Sequence, residues 1–145
     1  MITTEKIKNE FEYVSDSENG GFYSGTWPID SQPHEIKLFF MSKNKSLSNS
    51  QLESFQLFLK NKEKIKKDTE AFIIKDLSKQ NHKDTNKLIN GTFTFDIVTI
   101  FESGKEYDTE IICSKNYKGF LSKKRIDYVI ALTNGEILEI IGMNK

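Results

Sequence analysis

The sequence predicts an α+β fold in which antiparallel β-sheet layers, about six or seven strands in all, pack on one long helix or two shorter helices. Three observations carry this. Residues 50–79 hold no glycine and no proline, and their apolar residues recur at helical spacing. Strand-like runs precede this stretch, the last of them Ile36-Lys37-Leu38-Phe39-Phe40. More strand-like runs follow it, closing on residues 136–141.

In chain order, Ile7, Phe11, Tyr13 and Val14 place a first strand over residues 7–14, and Asn19-Gly20-Gly21 signals a turn. Residues 22–27 read as a short strand stopped by Pro28, with Pro33 as a second break. Residues 34–41 form the next strand and residues 42–49 a polar loop. Ser50 and Glu53 have the spacing of a capping box before Leu52 and Phe55. At 100° per residue, Phe55, Phe58, Leu59, Ile65, Phe72, Ile73 and Leu77 share one face. That stripe is thin between Lys60 and Lys67, where only Ile65 contributes, so two helices meeting near Asn61 fit as well as one. Residues 80–90 read as a loop.

Gly91 opens a strand over residues 92–101, with Phe93, Phe95, Ile97 and Phe101 on one side and Thr94 and Asp96 on the other. Residues 107–114 are its partner, residues 126–132 follow a lysine-rich loop, and Asn134-Gly135 makes a type I′ turn into residues 136–141. A two-residue loop there pairs Leu132 with Ile137 and Ile130 with Glu139. Both hairpin faces are then apolar apart from Glu139, which predicts the helix on one side and another β element on the other. Around Gly104, a two-residue loop would turn Glu106, Asp108 and Glu110 inward. A three-residue loop with Gly104 left-handed turns them outward, and the cost of burying unpaired charge favours it. Asp96 then lies opposite Glu110. The resulting acidic face suits solvent, a basic protein surface or a divalent ion.

At 145 residues the chain is expected to be one domain, burying roughly 70% of its unfolded surface. Cys113 is the only cysteine, which rules out an internal disulfide and suits a reducing compartment. No apolar run reaches the roughly 20 residues of a membrane span, and the N-terminus lacks the apolar core of a signal peptide. A cytoplasmic protein without membrane attachment is expected. The formal net charge is zero, and Arg125 is the only arginine among 21 basic residues. Arginine supplies the fork that reads guanine and grips phosphate, so sequence-specific nucleic-acid binding is not expected.

The sequence holds no phosphate-binding glycine loop, no nucleophile elbow and no His-Glu-x-x-His. His34 and His82 stand apart, and Cys113 falls on the core side of its strand. No catalytic residue, metal site or cofactor is therefore expected. The lysines at 60, 62, 64, 66 and 67 read as a solvated helix face diluted by Glu63, Asp68 and Glu70. Tyr23 and Trp27 are either sheet-edge packing residues or the aromatic anchors of an interface.

Gly25-Thr26-Trp27, Ile36-Lys37-Leu38, Gln51, Phe55, Phe58-Leu59 and Asn134-Gly135-Glu136-Ile137 through Ile141-Gly142 stand in an order that resembles a group of small uncharacterised bacterial domains. Several of those domains sit in polymorphic toxin and immunity loci. The chain lacks the Trp-Asp and Glu-His-Gly residues that some of them carry in the C-terminal half. The resemblance implies an immunity-type role; with no catalytic constellation and an outward acidic cluster, the expectation is a non-enzymatic protein that neutralises a basic toxin domain by direct binding. The partner-facing residues expected on this reading are Asp96, Glu106, Asp108, Glu110, Trp27 and Tyr23. The alternative is a small-molecule or lipid-binding module, with the phenylalanine-rich face of residues 93–101 lining a cavity. The oligomeric state is left open.

Overall fold

In the computed structural model, residues 2–16, 18, 20–80, 83, 85–103, 105–119 and 121–143 are described. The chain opens as a helix rather than the expected strand. Thr3 caps α1 (Thr4–Glu10) by accepting the Lys6 amide at 3.1 Å, and Ile7 is the side chain that α1 buries. At Phe11 the backbone becomes extended and leads into β1 (Glu12–Asp16).

There follow β2 (Gly20–Trp27), β3 (Ile36–Met41), α2 (Asn49–Lys79), α3 (Thr85–Ile89), β4 (Thr92–Ile100), β5 (Thr109–Lys118), β6 (Lys123–Thr133) and β7 (Glu136–Gly142). All seven strands form one sheet in sequence order. Every neighbouring pair is antiparallel except β3–β4, which is parallel. A parallel pair needs a crossover, and α2 with α3 supplies it. The short α3 occupies part of the expected loop at 80–90, held by the buried Leu88. His82 lies outside the described residues.

α2 is one unbroken helix of 31 residues. Its cap is Ser48 rather than Ser50. The Ser48 hydroxyl accepts the Gln51 amide at 3.2 Å, and the Gln51 side chain accepts the Ser48 amide at 3.2 Å. Gln51 also donates to the Met41 carbonyl at 2.8 Å, so the cap fastens α2 to the end of β3. Phe55, Phe58, Ile65, Ile73 and Leu77 are buried as the spacing predicts, with Thr69 filling the turn between Ile65 and Ile73. Halfway along, Asn61 donates to the Gly135 carbonyl at 3.1 Å. That bond tethers the polar middle of the helix, where apolar residues are sparse, to the β6–β7 turn. The turn has the expected type I′ geometry, with φ of 52° at Asn134 and 79° at Gly135.

Two β-bulges reset which residues face the helix. In β4 the register shifts between Phe95 and Ile97, so Phe93 and Phe95 point inward, and after Asp96 it is Val98 and Ile100 that do so. The uninterrupted alternation expected for residues 93–101 is thus broken at Asp96. In β7 the pairing runs as expected at Leu132–Ile137, then Leu138 bulges out and Ile130 meets Ile140 instead of Glu139. Each bulge spares the core a carboxylate or a polar threonine and delivers an aliphatic side chain in its place.

The β6–β7 hairpin is the edge of the sheet, not the middle of a layered structure. Core residues Ile36, Leu38, Phe40, Val98, Ile100, Ile111, Tyr128, Ile130 and Leu132 meet α2 on one face. Among the described residues, no helix lies on the other face. The expected second β element is replaced by an open sheet surface.

Candidate interaction face of the sheet

Strand registers place the side chains of the open face in rows. Ile97, Ile112, Val129 and Ile141 lie side by side across β4, β5, β6 and β7. Phe22 pairs with Met41 across β2 and β3, and its ring meets Phe39 edge-on at 5.5 Å. Near Phe22 and Met41 a cleft of about 360 Å³ opens, lined also by Phe101, Lys43, Glu102 and Lys105. An apolar row across four strands on an uncovered surface is the kind of feature that marks interaction sites.

Carboxylates border this row on one side. Glu110 and Glu139 both neighbour Ala131, one from β5 and one from β7. Glu136 pairs with Thr133 at the turn end of the same face. The ion pairs found among the described residues involve none of these three. The expected acidic face is therefore present around Glu110, with Glu136 and Glu139 added to it. The simple register set Glu139 opposite Ile130, whose side chain packs toward α2, and the bulge moves it to the open face.

Other expected members take different roles. Asp108 is a structural anchor: one oxygen accepts the Asn134 amide at 2.8 Å and the other accepts the Thr109 hydroxyl at 2.8 Å. Glu106 is exposed beside it, and its backbone carbonyl accepts the Thr133 hydroxyl at 3.1 Å. Glu110 stands opposite Thr99, not Asp96, because Ile100 pairs with Thr109 and lengthens the connection beyond three residues. Gly104, the expected left-handed residue, lies outside the described residues. Tyr23 is 5% exposed, points toward the core and donates to the Lys45 carbonyl at 2.7 Å. Trp27 is half-buried, with its ring edge-on to Phe55 at 5.5 Å and the Lys6 ammonium 5.3 Å from its centre. Both aromatics belong to the helix side of the sheet, away from the acidic face.

Asp96 belongs to a separate polar network that the sequence spacing did not reveal. It accepts the Thr94 hydroxyl at 2.9 Å and the Ser114 hydroxyl at 2.7 Å, and the His34 Nε2 stands 3.4 Å away. The Gln32 side chain, from the β2–β3 connection, clamps the Phe95 backbone by accepting its amide and donating to its carbonyl. Gln32 thereby acts as a missing strand where β3 has not yet begun to pair with β4. A serine, a carboxylate and a histidine are together here, but the carboxylate sits between the other two. A nucleophile relay needs the imidazole against the hydroxyl, and Ser114 is fully buried. The cluster stabilises the bulge. Among the described residues, no group of three or more His, Cys, Asp or Glu residues is arranged to hold a metal ion.

Cys113 is buried, and its thiol contacts the Tyr128 carbonyl at 3.6 Å. Burial, followed by the nearby carboxylates of Asp96 and Asp127, pushes the thiol far above its ordinary range. Burial also raises the Tyr128 phenol, helped by Asp76, which accepts its hydroxyl at 3.2 Å. From about pH 9 upward the unfolded chain releases the thiol proton that the fold retains. Stability must therefore fall with rising pH, at a slope that approaches one proton for this group. Urea unfolding of Cys113→Ala between pH 8 and 11 should show a lower starting stability but a slope flatter by about one proton. An unchanged slope would mean that the thiol titrates freely in the fold.

Where the β2–β3 connection meets the middle of α2, the crevice beside Phe93 and Phe95 holds about 10 Å³, room for a single water at most. The Phe93, Phe95 and Phe58 rings instead fill one another's gaps, at 5.1 and 5.2 Å between centres. No helix among the described residues is long and apolar enough to cross a membrane. No family model, curated protein or solved structure matches the chain.

Proposed function

We propose that the protein is a binding domain that seats a protein partner on the open face of its sheet, and that its biological role is immunity-type neutralisation of a basic toxin domain. One observation carries this reading: the apolar row Ile97–Ile112–Val129–Ile141 lies against a carboxylate border formed by Glu110, Glu136 and Glu139. An apolar centre with a charged rim is the anatomy of a protein interface. A negative rim accelerates association with a positive partner and discriminates against acidic ones. The close packing of the Phe58, Phe93 and Phe95 rings on one another weighs against the ligand-cavity reading.

The test is calorimetric titration of the purified protein with the purified product of the adjacent gene. Glu110→Lys combined with Glu139→Lys should weaken binding roughly tenfold or more and flatten its salt dependence. Ile112→Asp should abolish binding by placing a charge in the centre of the contact. Asp108 is a poor probe because its loss also loosens the β6–β7 turn. Unchanged affinity in both variants would remove this face from consideration.

A further inference from the structure

We infer that β7 pairs with β7 of a second copy, antiparallel across a two-fold axis at Ile141, so that two sheets join edge to edge. β7 is an edge strand of seven residues without lysine or proline, and its Leu138 bulge and its glutamates lie before the stretch from Ile140 to Gly142, which is left unprotected. The opposite edge, β1, is protected by being only five residues long. Leu138, Ile141 and Met143 are 50%, 51% and 51% exposed, which concentrates large exposed apolar side chains along β7 and just beyond it.

The backbone fixes which groups are free. The Met143 amide donates to the Asp127 carbonyl of β6 at 2.9 Å. Peptide groups alternate in direction along a strand, so those of Gly142 and Ile140 point away from β6, toward the open edge. With the axis at Ile141, the Ile140 amide donates to the Gly142 carbonyl of the other copy, and Gly142 reciprocates. Ile141 then meets its own counterpart on the open face, an apolar cross-strand pair. Placing the axis at Glu139 would oppose two carboxylates, which disfavours that register.

Charge selects a second copy in this orientation. The turn end of the hairpin carries Glu136 and Glu139, whereas β6 extends past the end of β7 with Lys123 and Lys124, Arg125 being paired with Asp127 of its own strand. Antiparallel pairing about a two-fold axis turns the acidic end of each copy toward the basic end of the other. The strand is thus complementary to itself. This inference does not depend on the partner-binding role of the sheet face.

Sedimentation and light scattering over a range of concentrations test it. The mass should rise with concentration from 16.8 kDa toward twice that value. Ile141→Lys should remain at 16.8 kDa throughout while melting like the parent protein at the dilutions where the parent is monomeric. Leu121→Lys, at a residue 90% exposed and remote from β7, should still dimerise. Ile141→Cys gives an independent readout, because facing residues in a non-hydrogen-bonded antiparallel pair have Cα atoms about 4.5 Å apart, within disulfide reach. Under mild oxidation it should form a covalent dimer, and Leu121→Cys should not. A monomeric parent at every concentration, a dimer indifferent to Ile141→Lys, or equal cross-linking of the two cysteine variants would overturn the inference.

Discussion

Replacing Phe58 by alanine is expected to lower stability by about 3–5 kcal/mol, the range for removing a buried aromatic ring. For a domain of this size that corresponds to a fall in Tm of roughly 10–15 °C. Phe58 is fully buried, stacked on Phe55 at 6.1 Å and edge-on to Phe95 at 5.2 Å. It therefore joins α2 to β4 at the place where the helix crosses the sheet. Its neighbours are fixed by their own partners: Phe55 touches Trp27 and Phe40, and Phe95 is held by Phe93 and by the Gln32 clamp. The void can close only partly, so the cavity cost adds to the lost transfer energy. Phe72→Ala, at a partly buried ring against Tyr128, should cost distinctly less. Equal losses in urea unfolding would show that the aromatic cluster relaxes rather than holding its shape.

Phe58 and its helical neighbours were legible because a period of 3.6 marks a buried face without knowledge of what covers it. The same pattern did not decide between one helix and two. Through the lysine-rich middle the helix is held to the sheet by Ile65 and by Asn61 reaching Gly135, a contact 74 positions away in the chain. Strand parity was legible as far as each bulge and no further. A bulge is a choice between registers made by the whole sheet, so Ile97 and Glu139 took faces that local alternation could not assign. The acidic face was accordingly half readable: Glu110 from its own strand, Glu139 only from the β7 bulge. The cap expected at Ser50 falls at Ser48, where Gln51 bonds back to the cap and also reaches the Met41 carbonyl. The brevity of α1 left a single buried residue, Ile7, too little for a helical period to show.

The second large effect is expected at Lys115, a residue that strand parity points into the core along with Thr109, Ile111 and Cys113. It is 4% exposed. Its ammonium donates to the Ile89 and Gly91 carbonyls, each at 3.2 Å, and pairs with Glu70 at 3.1 Å. These three acceptors come from the end of α3, the start of β4 and the middle of α2, so one charge closes the crossover between the parallel strands. Lys115→Ala would leave two carbonyls and a carboxylate without their donor. Removing one partner of a buried pair costs about 3–5 kcal/mol, and because Glu70 remains about a third exposed, the lower end, about 3 kcal/mol, is expected. Lys115→Met keeps the packing of the stem and isolates the charge. Combining it with Glu70→Gln should recover part of the loss, since the carboxylate is then no longer stranded. Fully additive losses in the double variant would mean that the ammonium acts through the two carbonyls alone, as a cap on α3 rather than as half of an ion pair.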